Sequence, residues 1–242
     1  MIKTVSLNLV LFFIFCFNAF PISAQEPSGS DEPTSDKTDS KPEDSLYRLT
    51  RGTKEYLFEP GVAPWKPSHF AGPEEFDTSH RKMAFANFRL GRVIGTKGNV
   101  SYSYLFGFMP LTVAFRNEIR NPAYVSEQTT PGVERTIRTT TYGVGITPAN
   151  FRFLFRANKR VKPFAQAGAG IVMYNHAMPI PETRRFNLTG DFGGGVMIHS
   201  SPDRAWTIGY RYFHISNGNL TEKVYNVGYN ANSIYLGYSI FK

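Results

Sequence analysis

Apolar and polar residues alternate with period two in short runs along most of this chain. The most regular run spans residues 205–217. Trp206, Ile208, Tyr210, Tyr212, His214 and Ser216 fall on one face of it, and Thr207, Gly209, Arg211, Phe213 and Ile215 on the other. Similar runs rich in Tyr, Phe, Val, Thr and Gly predict strands near 53–63, 82–94, 99–116, 139–156, 162–174, 186–198, 205–217 and 230–241. In the last of these Ile234, Leu236, Tyr238 and Ile240 oppose Ser233, Gly237 and Ser239. In the sixth, Phe186, Leu188, Phe192, Val196 and Ile198 oppose Asn187, Thr189 and Asp191. Pro110 and Pro148 predict irregularity in the third and fourth strands, because proline cannot donate to a ladder.

The segments between these strands fall into two classes that alternate without exception. Residues 95–98, 157–161 and 199–204 are short, whereas 64–81, 117–138, 175–185 and 218–229 are long and polar. Each strand is long enough to cross a bilayer when tilted. An eight-stranded antiparallel transmembrane β-barrel of the outer membrane accounts for all of this, with long external loops, short periplasmic turns and both termini inside. The competing architecture is a soluble β-sandwich, which requires neither the alternating loop lengths nor an aromatic terminal strand.

The N-terminus changes the picture. Lys3 precedes an apolar run from Leu7 to Phe20, followed by Pro21-Ile22-Ser23-Ala24-Gln25, which predicts a secretory signal peptide over residues 1–24. That run is too short for a comfortable membrane span. Residues 25–46 hold seven acidic and two basic residues and almost nothing apolar, so a disordered acidic lead-in is expected there. The barrel is then assigned to residues 47–242, which carry a net charge of +12. A basic body suits an anionic partner. Behind a signal peptide that partner is expected to be anionic lipid, phosphorylated lipid A above all, and not nucleic acid. The single cysteine, Cys16, lies within the apolar leader, so the mature chain offers no thiolate and no disulfide.

Candidate chemistry is confined to one place. His214 and Ser216 stand two residues apart on the apolar face of the seventh strand, close enough for an imidazole to reach a hydroxyl. A base beside a hydroxyl is the minimum apparatus of nucleophilic acyl transfer. On a lipid-facing wall, the substrate of such a pair would itself live in lipid. The hairpin to the eighth strand brings Asn230 and Asn232, of the same outward parity, beside them. The remaining histidines (His69, His80, His176 and His199) fall in loops or at a strand end without ligand spacing; they are read as solvated, with no metal and no cofactor.

The segment Phe213-His214-Ile215-Ser216-Asn217-Gly218-Asn219-Leu220 resembles the His-x-Ser-Asn-Ala/Gly motif of the lipid A 3-O-deacylases of PagL type. Supporting matches are Lys162-Pro163-Phe164 running into Ala167-Gly168-Ala169-Gly170, Arg185-Phe186-Asn187-Leu188 leading to Gly193-Gly194-Gly195, and the run from Gly228 to Ser233. The likeness is good from about residue 139 onward. It implies an eight-stranded barrel with a Ser-His-Glu triad on its outer wall that hydrolyses the 3-O ester of lipid A. By motif Ser216 is then the nucleophile and His214 the general base, with Asn217 and the Gly218 backbone N–H as oxyanion hole. The third member departs from the family pattern, since this chain has Asn230 or Asn232 where a glutamate is expected. Counting back from Gly237 favours Asn230, the Asn-Ser dipeptide favours Asn232, and Glu222 is a loop carboxylate that could substitute.

Basic external-loop residues Arg116, Arg120, Arg135, Arg138, Arg184 and Arg185 are placed to meet the phosphates of lipopolysaccharide. The expected protein is a monomer that meets outer-membrane lipid. Two other functions stay open at this level: a phospholipase-like esterase using the same pair, and a non-enzymatic structural or adhesive barrel.

Overall fold

The computed structural model describes residues 46–65, 82–115, 119–121, 135–137, 140–179, 183–218, 220 and 228–242. The leader, the acidic lead-in up to residue 45 and Glu222 lie outside the described residues, as do His69, His80 and Arg138. Ten strands are formed among the described residues: β1 (Lys54–Trp65), β2 (Met83–Lys97), β3 (Val100–Ala114), β4 (Ile119–Asn121), β5 (Arg135–Ile137), β6 (Thr141–Phe155), β7 (Val161–Tyr174), β8 (Phe186–Ser201), β9 (Arg204–Ser216) and β10 (Tyr229–Phe241). Eight of them close an antiparallel barrel in the order β1-β10-β9-β8-β7-β6-β3-β2, and β4 pairs with β5 in a separate small hairpin. Closure removes the sandwich alternative, because every barrel strand has a partner on both edges.

The barrel strands agree with the alternation read from the sequence to within a few residues. β2 and β8 run three residues further than expected, which shrinks two connections to the pairs 98–99 and 202–203. Gly98 takes a positive φ of 57°, as a two-residue hairpin turn with glycine at its first central position requires. Register shifts occur between Met109 and Thr112, across Pro110, and between Ile146 and Ala149, across Pro148. The hairpin β4–β5 was not expected; its three-residue strands are too short to leave a period in the sequence.

Alternate residues of each strand divide between wall and lumen. Phe58, Phe88, Phe108, Phe153, Ile208 and Leu236 are all exposed on the outer wall. An apolar surface of that extent is untenable in water and ordinary in hydrocarbon. Near the end with the short turns the wall turns amphipathic: the Trp206 and Tyr238 rings meet at 4.8 Å, and Lys242 lies over the Tyr56 ring. Such side chains suit the headgroup boundary.

The lumen holds charge, and nearly all of it is matched. Glu59 on β1 accepts hydrogen bonds from Asn87 and Arg89 on β2, both at 3.2 Å, and from Arg211 on β9 at 2.6 Å. Arg211 also pairs with Asp191 on β8 at 3.2 Å and packs its guanidinium 4.4 Å from the centre of the Tyr235 ring. Glu55 pairs with Arg152 on β6 and accepts the Ser239 hydroxyl at 2.6 Å. A lone buried ion costs several kcal/mol, so each charge here depends on partners from distant strands. His199 belongs to this interior and corrects the expectation of a solvated ring. It is fully buried, stacks on Phe241 with ring centres 5.2 Å apart, and places Nδ1 3.3 Å from the Ser201 carbonyl. The strand continues past it, and its parity turns it inward. His176, by contrast, is exposed as expected.

Replacing Glu59 with alanine strips Arg89 of its paired carboxylate and leaves Arg211 with Asp191 alone. We expect a loss of about 3–5 kcal/mol, the usual penalty for breaking a buried pair. Urea unfolding of the barrel in lipid vesicles measures it, and an unchanged midpoint would refute the role given to this carboxylate.

Candidate active site

The long-loop end of β9 and β10 carries the site. Their register sets Asn230 directly opposite His214, and Asn232 opposite Tyr212. On the other flank β8 sets Gly190 opposite His214 and Leu188 opposite Ser216. All these positions share the outward parity of Trp206 and Ile208. Ser216 and Asn230 are nevertheless buried, and His214 partly so.

A chain of hydrogen bonds joins them. His214 Nε2 lies 3.1 Å from Ser216 Oγ, and His214 Nδ1 lies 2.6 Å from Asn230 Oδ1. An amide oxygen only accepts, so Nδ1 carries the ring proton. Nε2 therefore faces the serine hydroxyl with a free lone pair, the arrangement a general base needs. Asn230 Oδ1 accepts a second bond, from the Tyr212 hydroxyl at 2.8 Å.

Asn232, the other amide candidate, is not brought to the histidine. It accepts the hydroxyl of Tyr210 instead, one pleat further into the wall. Ser216, His214 and Asn230 thus meet, and Asn232 stands apart. Asn217 and Gly218 follow the serine directly. Asn217 is buried and its carbonyl accepts the Leu220 N–H at 3.3 Å; Gly218 takes a φ of 65°, where a side chain would be strained. That turn reverses the chain just past Ser216. The loop arginines are less fully placed. Arg184 and Arg185 are exposed immediately before β8, whereas only the backbone of Arg120 and Arg135 is described, within β4 and β5, and Arg116 lies outside the described residues.

Three contributors were not read from the sequence. Tyr212 shares the parity of His214 and lies one diagonal from Asn230, a signal that only the strand register makes visible. Gly228 approaches the imidazole so closely that a Cβ there would sit 2.9 Å from His214 Cε1. Gly190 leaves the flank beside His214 open, since a Cβ at that position would meet nothing within 4 Å.

The family model described as Lipid A 3-O-deacylase (PagL) matches residues 96–239, more than half of the chain. No curated protein matches the chain. Among solved structures, the outer membrane enzyme PagL is similar at 16% identity and a TM-score of 0.44, covering 77% of this chain and 98% of that one. Neisserial surface protein A is similar at 15% identity and a TM-score of 0.41, covering 78% and 96%. OprG from Pseudomonas aeruginosa is similar at 7% identity and a TM-score of 0.46, covering 81% and 98%.

The close approach of Gly228 gives a direct test of the geometry. Gly228→Val should push the imidazole off both partners while leaving a folded, heat-modifiable barrel. The His214 Nδ1–H proton signal, shifted downfield by its bond to Asn230, should disappear from the spectrum of the refolded protein. Its persistence in the variant would contradict the placement of Gly228 against the ring.

Proposed function

Because the chain belongs to the lipid A 3-O-deacylase (PagL) family, we propose that it is an outer-membrane esterase that removes the 3-O-linked acyl chain of lipid A. The carrying observation is the hydrogen-bonded series Ser216–His214–Asn230 on the outward face of the barrel, at the long-loop end. A signal peptide over residues 1–24 would deliver the chain to the membrane, and the apolar wall suits it to remain there.

In this reading Ser216 Oγ attacks the ester carbonyl while His214 Nε2 takes its proton. The carbonyl oxygen becomes an oxyanion held by Asn217 and the Gly218 N–H; one such donor is worth about 2.7–4 kcal/mol in the transition state. The intermediate collapses as Nε2 returns the proton to the departing sugar hydroxyl, leaving an acyl-serine. Water then attacks, His214 again accepts a proton and hands it to Ser216, and the free fatty acid leaves. Asn230 holds the ring in the tautomer that permits each transfer, but it brings no negative charge to stabilise the imidazolium. Catalysis slower than that of a carboxylate triad follows. Exposed Arg184 and Arg185, just above the Leu188–Ser216 pair, are the described cations best placed for the phosphates of lipid A.

Mass spectrometry of lipid A from cells producing the protein tests this. Ser216→Ala and His214→Ala should each reduce deacylation by a factor on the order of a thousand or more while the barrel stays folded. Retention of the wild-type rate in either variant would overturn the assignment. Loss of fatty acid from glycerophospholipid with lipid A intact would replace it by a phospholipase reading, and an inert wild type by a structural one.

The same assay separates the two amides. Asn230→Ala should slow turnover sharply and Asn232→Ala hardly at all, while Asn230→Glu should preserve activity or raise it. Wild-type turnover in all three variants would exclude Asn230 from the mechanism and leave a Ser-His pair, or one assisted by Glu222.

A further inference from the structure

We propose that Tyr212 is a positioning residue that locks the Asn230 amide in the one orientation the histidine can use. The proposal rests on the esterase reading and adds to it a fourth member, outside the motif that carries the family likeness.

A carboxylate in the third position presents the same atom whichever way it turns. An amide does not. With Oδ1 toward His214 the ring must carry its proton on Nδ1, and Nε2 is free to take the proton of Ser216. Rotated by half a turn, Nδ2 would donate to Nδ1, the ring proton would move to Nε2, and the serine would face a donor instead of a base. The imidazole alone cannot select between these states, since it changes tautomer to suit either.

Tyr212 supplies the selection. Its hydroxyl donates to Asn230 Oδ1 at 2.8 Å, on the same oxygen that His214 Nδ1 approaches at 2.6 Å. In the rotated state Nδ2 would take the place of Oδ1, and the hydrogen bond that the phenol donates to the amide would be lost. The phenol is itself held: the ring is buried and packs on Phe192 with centres 5.0 Å apart. The reach is a property of the sheet. Asn230 is opposite His214 and Asn232 opposite Tyr212, so the tyrosine must lean one diagonal along the strand, a distance its length covers. Tyr210 and Asn232 repeat the pairing one pleat away from the histidine's own partner. They provide a control built into the same wall.

The experiment uses the full-length mature barrel refolded in detergent micelles, with lipid A as substrate. Tyr212→Phe removes one oxygen and keeps the ring and its contact with Phe192. Its turnover should fall about tenfold with KM within about twofold, as expected when a correctly poised base is rarely populated. Tyr210→Phe should match wild type. In an Asn230→Asp background, where both oxygens are equivalent, Tyr212→Phe should cost less than twofold. Nitrogen-15 spectra of the imidazole should show the Nδ1–H tautomer in wild type and a mixture in Tyr212→Phe, and they do so whether or not lipid A is the true substrate.

Wild-type turnover in Tyr212→Phe would overturn the proposal, as would an undiminished penalty in the Asn230→Asp background. An unchanged Nδ1–H tautomer in Tyr212→Phe would overturn it independently. If wild type is inactive on lipid A but the tautomer shifts as described, the esterase reading fails and the role of Tyr212 stands.

Discussion

The pairing of Arg211 inside the barrel is the constraint on which the site depends. Its guanidinium bonds to Glu59 on β1, pairs with Asp191 on β8 and packs on the Tyr235 ring of β10. Strand side chains alternate with period two, so a slip of β9 by one residue would send Arg211 into the lipid and His214 into the lumen. An arginine at the bilayer midplane costs about 2–4 kcal/mol before the lost ion pairs are added. The register that aligns His214 with Asn230 on the outside is thus enforced by charge on the inside, three residues back along the same strand. The two faces serve one purpose.

The outer face meets a different difficulty. Serine, histidine, asparagine and tyrosine side chains on the outward face gain by satisfying one another, because a polar group turned toward an apolar surrounding without a partner is costly. Here they do so in series, from Ser216 through His214 and Asn230 to Tyr212. A neutral amide in this series avoids placing a fixed negative charge against lipid. It also forgoes the electrostatic help a carboxylate gives to an imidazolium. A tyrosine can restore the orientation that the amide lacks, but not that charge.

Much of this could be read from the sequence, and the omissions share one physical cause. Strands, loop classes and the shared parity of His214 and Ser216 depend only on neighbours along the chain. Choosing between Asn230 and Asn232 does not: both have outward parity, and only the register of β10 on β9 says which one meets the imidazole. The same holds for Tyr212, and for the lumen. The partners of Glu59 lie 28 to 152 residues away, so no local pattern announces them. His199 was misread for a related reason, since its place beyond the expected end of β8 suggested solvent while the continuing strand buried it.

Net charge is similarly blind to place. The excess of +12 over residues 47–242 invites a reading in which basic loops meet lipid A phosphates. Among the described residues, the exposed basic side chains Arg51, Lys54, Lys97, Arg156, Arg160 and Lys242 stand near the strand ends at the short turns. They lie a whole barrel length from Ser216, and at physiological ionic strength charges that far apart are screened. They therefore cannot assist the proposed chemistry, whatever anionic headgroups they meet. Arg184 and Arg185 differ, because they stand just before β8, within four residues of Leu188, the neighbour of Ser216. At roughly 3.3 Å per residue that is a span of about 13 Å or less. Among the described residues, these two are the cations that the chain's entry into β8 brings near the site.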